Sequence, residues 1–311
     1  MSTPTRSPHA APAIEVTGLT KRFGRLRALD GLDLRVDAGS VHGFLGPNGA
    51  GKSTTIRVLL GMYRRDAGSV SVLGADPAHC STAINRRVGY VAGDVALWPA
   101  LTGAQTLDAV AALRGARDRA REAELIEAFS LDPSKPVRTY SKGNRQKVAL
   151  VAALAVPADL LILDEPNSGL DPLQQEVLVS AVGQARDDGA TVLLSSHVLE
   201  EVERLCSDVT IIKDGRTVEA GALADLRRRR TSTLTFRPAR SDDGAAVTPV
   251  LGELPADAVH RDPGGTMRLA VPGEDVPRVL RAVLDAGATE VSCAPPSLDD
   301  LFLRHYAVSA R

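Results

Sequence analysis

Aromatic residues are scarce in this 311-residue chain, at 3% of the total with a single tryptophan, Trp98. Proteins that hold single-stranded nucleic acid by stacking need such rings, and duplex binders need a basic excess. Here 37 Lys and Arg stand against 38 Asp and Glu, for a net charge of −1. Neither route to nucleic acid is open, and no nucleic-acid partner is expected. Cysteine is scarce as well. Cys80, Cys206 and Cys293 lie far apart, a spacing that suits neither a zinc site nor a disulfide framework and points to reduced thiols in the cytosol. No apolar run approaches the ~20 residues that a membrane span needs; the longest, Val148 to Val156, stops at Pro157. Residues 1–12 are rich in Ser, Thr, Pro and Ala without an apolar core, which reads as a disordered tail and not a signal peptide. The length suits about two domains.

What the chain does contain is Gly46-Pro47-Asn48-Gly49-Ala50-Gly51-Lys52-Ser53-Thr54. This fits G-x-x-x-x-G-K-[ST], a loop for nucleotide phosphates. Gly49 and Gly51 can take backbone angles closed to other residues, so successive N–H groups can turn onto an anion. Lys52 adds a point charge for the β- and γ-phosphates, and Ser53 offers a hydroxyl to Mg²⁺. Val41 to Leu45 reads as a buried strand before the loop and Thr54 to Leu60 as a helix after it, so the helix N-terminus faces the anion.

The rest of the chain alternates strands and helices. Strands are expected at Ile14 to Thr17, at Ala28 to Val36 (broken by Asp30-Gly31), at Gly68 to Gly74 and at Val88 to Ala92. A helical insertion follows from Leu101 to about Pro157. Leu160 to Leu163 and Thr191 to Leu194 are apolar throughout, as parallel strands covered on both faces should be. Between them a helix begins at Pro172 and stops at Gly189. Val209 to Lys213 and Thr217 to Ala220 flank Asp214-Gly215 as a hairpin. The class is α/β with a parallel sheet. Arg227 to Arg230 reads as a solvated basic linker, and residues 231–311 as a small α+β domain.

Two further stretches carry chemistry. Leu160-Leu161-Ile162-Leu163-Asp164-Glu165 is an apolar strand ending in two carboxylates, and the carboxyl edge of a parallel strand faces the ligand crevice. Asp164 suits Mg²⁺, and Glu165 suits the water that attacks the γ-phosphate. Tyr140-Ser141-Lys142-Gly143-Asn144-Arg145-Gln146 opens a helix with Ser141 as N-cap and Gly143 allowing close approach to the backbone. That is a second helix end suited to phosphate, although an ordinary capped helix would read the same way.

Together these motifs resemble the ATP-binding subunit of an ABC transporter: a P-loop NTPase core with an antiparallel β subdomain and a helical insertion, spanning residues 13–226. Gly46 to Thr54 is similar to the Walker A motif and Leu160 to Glu165 to Walker B. Ser141, Lys142, Gly143 and Asn144 resemble the signature, with Lys142 for its usual Gly and Asn144 for its usual Gln. Ser168-Gly169-Leu170-Asp171 is similar to the D-loop and His197 to the switch histidine. Phe23 stands at the adenine-stacking aromatic, where a core position is the other reading.

The resemblance implies a head-to-tail homodimer, each ATP lying between one Walker A loop and the other chain's signature helix. Glu165 is then the general base, His197 the grip on the γ-phosphate and Asp171 a residue acting across the interface. ATP and Mg²⁺ are the implied cofactors. The implied partner is an integral membrane permease, which places the chain on the cytoplasmic face of the cell membrane. One departure stands out. The family's loop Gln, expected after Val88 to Ala92, is Gly93, which has no side chain for that role; Asp94 beside it is a candidate oxygen ligand or an unrelated loop carboxylate. Trp98, in the following loop, is read either as an anchor for the membrane partner or as core packing. Ser297 to Leu303 resembles the tail of subunits serving ABC-2 type drug and antibiotic exporters. Alternatives to an exporter ATPase are a soluble ABC ATPase acting on ribosomes or DNA and a weakly hydrolysing regulatory module.

Overall fold

Alternation of buried and exposed residues makes β1 (Ile14–Phe23) and β2 (Leu26–Val36) an antiparallel pair. β4 (Ala67–Val72) joins the other edge of β1, giving a three-stranded sheet in the order β2-β1-β4. Asp30-Gly31 does not break β2, contrary to expectation. Leu19 faces Leu32 while Thr20 faces Asp30, so Gly31 is an extra residue absorbed as a bulge, and its φ of +78° is one that glycine takes without strain. The computed structural model describes residues 11–228, 231–238, 259–262 and 265–294.

The second sheet is built on three strands with every residue buried: β3 (Val41–Leu45), β6 (Leu160–Asp164) and β7 (Thr191–Ser196). With β5 (Val88–Val91), β8 (Asp208–Lys213) and β9 (Arg216–Ala222) they form a six-stranded sheet, order β5-β6-β7-β3-β8-β9. The pairings from β5 through β8 are parallel. Non-sequential neighbours require crossovers, which the helices supply. α1 (Lys52–Leu59) follows β3, α6 (Pro172–Asp187) follows β6, and α7 (Leu199–Leu205) follows β7. α7 comes so close to β3 that a Cβ on Gly43 would lie 2.5 Å from Val202 Cγ1.

The insertion consists of α3 (Gly103–Arg114), α4 (Arg119–Ala128) and α5 (Lys142–Leu154), which leads into β6. Each starts on a side-chain cap: Thr102 in a reciprocal capping box with Gln105, Asp118, and Ser141. Three helices escaped the sequence reading: α2 (Pro77–Asn85), α7 and the short helix Leu223–Arg228. The start of α2, Asp76-Pro77, looks like a turn but is a cap followed by a first-turn proline, and Asp76 accepts from Ala78 N–H at 2.9 Å.

The chain forms two compact units, Met1–Gly221 and Ala222–Arg311, divided ahead of the arginine run. In the second, α8 (Leu223–Arg228) includes Arg227 and Arg228, so these two belong to a helix and not to a linker; Arg229 and Arg230 lie outside the described residues. β10 (Thr231–Arg237), β11 (Val259–Arg261), β12 (Met267–Pro272) and β13 (Thr289–Ala294) form a sheet in the order β11-β12-β10-β13. The amphipathic helix Val276–Asp285 covers it, burying Val279 and Val283 with Leu234, Phe236, Leu269 and Val271. This is an α+β unit. Residues 1–10 of the expected tail and the segment Ser297 to Leu303 also lie outside the described residues.

Candidate nucleotide-binding site

Between the fully buried β3 and α1, the chain turns through Gly46 to Gly51. Gly51 has φ +110° and no side chain caps the helix there. The first helical N–H to find a carbonyl is that of Thr55, on Gly51 O at 2.9 Å. The earlier N–H groups are left for an anion, and the partial positive charge of the helix end adds to them. The loop cannot be enlarged: a Cβ on Gly46 would lie 2.6 Å from Ile212 O, and one on Gly51 would lie 2.7 Å from Leu29 Cδ2. Gly49 faces open space with φ +85°. Pro47, Asn48, Ala50, Ser53 and Thr54 complete the turn.

Lys52 is buried, and its Nζ donates to Gly46 O at 2.6 Å and Pro47 O at 3.2 Å. It lies 3.7 Å from Glu165 Oε1. Burial pushes the ammonium below its ordinary pKa range, while Glu165 and then Asp164 oppose that.

Both carboxylates of β6's end reach the same place. Asp164 is buried and accepts from the Ser195 hydroxyl. Glu165 holds φ +48°, in the left-handed region that few non-glycine residues occupy, and its N–H donates to Ser195 O at 3.1 Å and to Ser195 Oγ at 3.2 Å. His197, just past β7, places Nδ1 3.2 Å from Glu165 Oε1. Glu165 therefore stands between Lys52 and His197. A cleft of about 190 Å³ opens here, lined by Glu165, Asn167, Ser168, Ser196, His197 and Glu201.

Gly93 lies against the same carboxylate, since a Cβ there would be 3.5 Å from Asp164 Oδ2. Asp94 is exposed. Phe23 is 42% exposed, edge-on to Tyr63 at 5.3 Å with Lys21 Nζ above its ring. This overturns the core reading of Phe23. Trp98, 47% exposed, is likewise not core packing.

The start of α5 borders a different segment, the loop after Glu165. Ser141 accepts from Asn144 N–H at 3.2 Å, and Lys142 Nζ donates to Ser168 Oγ at 2.6 Å. Buried Gln146 donates to Pro166 O at 3.0 Å. A Cβ on Gly143 would lie 2.3 Å from Gly169 O. Asp171 caps α6 in a capping box with Gln174. The sequence reading missed Ser195, Tyr63 and the bond made by Gln146. Ser195 shares its buried strand with Thr191 and Ser196, so its hydroxyl gave no signal of its own.

The residues at the Lys52 end fit Mg²⁺ by donor chemistry. Ser53 and Asp164 are hard oxygen donors of the kind Mg²⁺ takes, with waters and phosphates as its usual remaining ligands.

Comparison with known proteins agrees with this geometry. Residues 29–168 match the family model for ABC transporters. The chain is 36% identical to the daunorubicin/doxorubicin resistance ATP-binding protein of Streptomyces peucetius, over 94% of this chain and 91% of that protein. It is 32% identical to the bacitracin transport ATP-binding protein of Bacillus licheniformis, over 94% and 96% respectively. Among solved structures, an ATP-binding subunit of an ABC transporter superposes with a TM-score of 0.65 at 32% identity, covering 70% of this chain and 92% of that one. A dimeric ATP-binding cassette holding ADP and phosphate shares the fold, with a TM-score of 0.60 at 23% identity over 68% of this chain and 98% of that one. With the glycine loop, the carboxylates Asp164 and Glu165 and His197 assembled at one sheet edge, the chain belongs to the ABC transporter family, as one of its ATP-binding ATPase subunits.

Proposed function

We infer that the chain binds and hydrolyses ATP to power a separate membrane permease that exports drug-like or antibiotic compounds. The reading is carried by one observation: Lys52, Asp164, Glu165 and His197 meet where β3, β6 and β7 end. In this reading the uncapped start of α1 and Lys52 take the phosphates, with Lys52 released from Gly46 O and Pro47 O. Glu165 draws the proton from the attacking water, and His197 orients Glu165 and grips the γ-phosphate. Ser53 and Asp164 would hold Mg²⁺, which would supply charge neutralisation for the phosphates. Phe23, with Tyr63 beside it, is the platform for adenine. Ser141, Lys142, Gly143 and Asn144 serve the ATP of a second copy, and Asp171 acts near that interface.

The export assignment rests on the named relatives, which are resistance and transport subunits. No helix among the described residues is long and apolar enough to cross a membrane, in keeping with a permease on another chain and a place at the cytoplasmic membrane face. Exposed Trp98 is the anchor we assign to that partner. To test the reading, Glu165→Gln should retain ATP binding and lose turnover by about 10²-fold or more, and Lys52→Ala should weaken binding. Normal hydrolysis by Glu165→Gln would contradict it. Gly93, which brings no side chain to Asp164, favours a second reading as a slow regulatory module; turnover measured with and without the permease separates the two, since a regulatory module stays near zero in both.

A further inference from the structure

Ser195 is fully buried at the end of β7, opposite Asp164 in the parallel register. Its hydroxyl has one hydrogen and two lone pairs. The hydrogen goes to Asp164 Oδ1, and an oxygen lone pair receives the Glu165 N–H at 3.2 Å. Its main-chain carbonyl takes the same N–H at 3.1 Å. One side chain thus holds the carboxylate of Asp164 and the backbone of Glu165, which is in the left-handed region at φ +48°. The other Asp164 oxygen looks toward Gly93, which carries no side chain to steady it.

We propose that Ser195 is a positioning residue, orienting Asp164 toward a divalent cation and fixing Glu165 for attack; this rests on the roles given above to those two acids. Removing the hydroxyl frees Asp164 to rotate and leaves Glu165 N–H with the carbonyl alone. A partner that orients a metal ligand typically alters affinity or activity by about 10–100-fold. Ser195 is fully buried and its hydroxyl is committed to Asp164 and Glu165, so its loss should change the response to Mg²⁺ and not the grip on the nucleotide.

The test uses the full chain, a fluorescent ATP analogue titrated in EDTA and in Mg²⁺, and steady-state turnover against Mg²⁺. For Ser195→Ala, binding in EDTA is expected to stay within about twofold of wild type. Half-saturating Mg²⁺ should rise about tenfold and kcat should fall about 10–100-fold. Ser195→Thr, which keeps the hydroxyl, should recover most of both. Wild-type Mg²⁺ dependence and kcat in Ser195→Ala would overturn the proposal. So would an equal loss of binding with and without Mg²⁺, which marks a purely structural role. A Mg²⁺ response that survives Asp164→Asn would instead refute the role given to Asp164, and the proposal with it.

Discussion

At Gly143 the need for glycine comes from inside the chain. An added methyl would lie 2.3 Å from the carbonyl oxygen of Gly169, far inside any real contact. Gly143→Ala should therefore lower stability by about 2 kcal/mol, the scale of an overpacked site, even without nucleotide. Urea unfolding of the nucleotide-free chain checks this; a loss seen only in ATP binding would assign the glycine to ligand approach alone. Asp171 is similarly occupied at home. Its carboxylate accepts from Gln174 N–H at 3.0 Å while the Gln174 side chain returns to the Asp171 N–H. Asp171→Ala should cost about 1 kcal/mol, and Asp171→Asn, an equally good cap, less than about 0.5. Comparing the two by denaturation separates capping from any effect of charge on turnover.

Among the elements, β3 carries an unusual passenger. His42 is buried in this strand, and Nε2 pairs with Thr210 Oγ1 of β8 at 2.9 Å. Burial holds its pKa down at about 4, with Asp208 and Asp37 pulling the other way. The unfolded chain, with His near 6.5, binds this proton more readily than the folded one. Stability from this site is therefore fully present above pH 6.5 and declines as pH falls toward 4, by up to about 3 kcal/mol. Carboxylates held low, such as Asp76 at about 2 through Arg65, keep their contribution above about 3.8 and lose it mainly as pH falls below that value. Urea titrations between pH 7 and 4.5 should show the decline in wild type and a flatter profile in His42→Asn; identical slopes would contradict it. The strands around His42 were legible because β3, β6 and β7 each carry a short apolar run, fully buried in the sheet, and so were the residues at their carboxyl ends. α2 was not, because Asp76-Pro77 serves a turn and a helix start equally. Ser195 was hidden for another reason: one hydroxyl in a strand says nothing of the carboxylate it will meet on the next.

For the whole molecule, both sets of residues proposed to meet nucleotide fall within the unit Met1–Gly221, yet they gather in two groups. Lys52, Asp164, Glu165 and His197 form one. Ser141, Lys142 and Gly143 form the other, tied to Ser168 and Gly169. Local patterns disclosed each group, but which group serves which nucleotide is a property of two chains, and periodicity within one cannot express it. Two phosphate-seeking helix ends on one chain are what a symmetric pair sharing two nucleotides requires. The most direct measurement is sedimentation of the Glu165→Gln chain with and without MgATP. A shift from monomer to dimer on adding MgATP is the expected result. A chain that binds ATP fully and stays monomeric at every concentration would contradict the shared-nucleotide account.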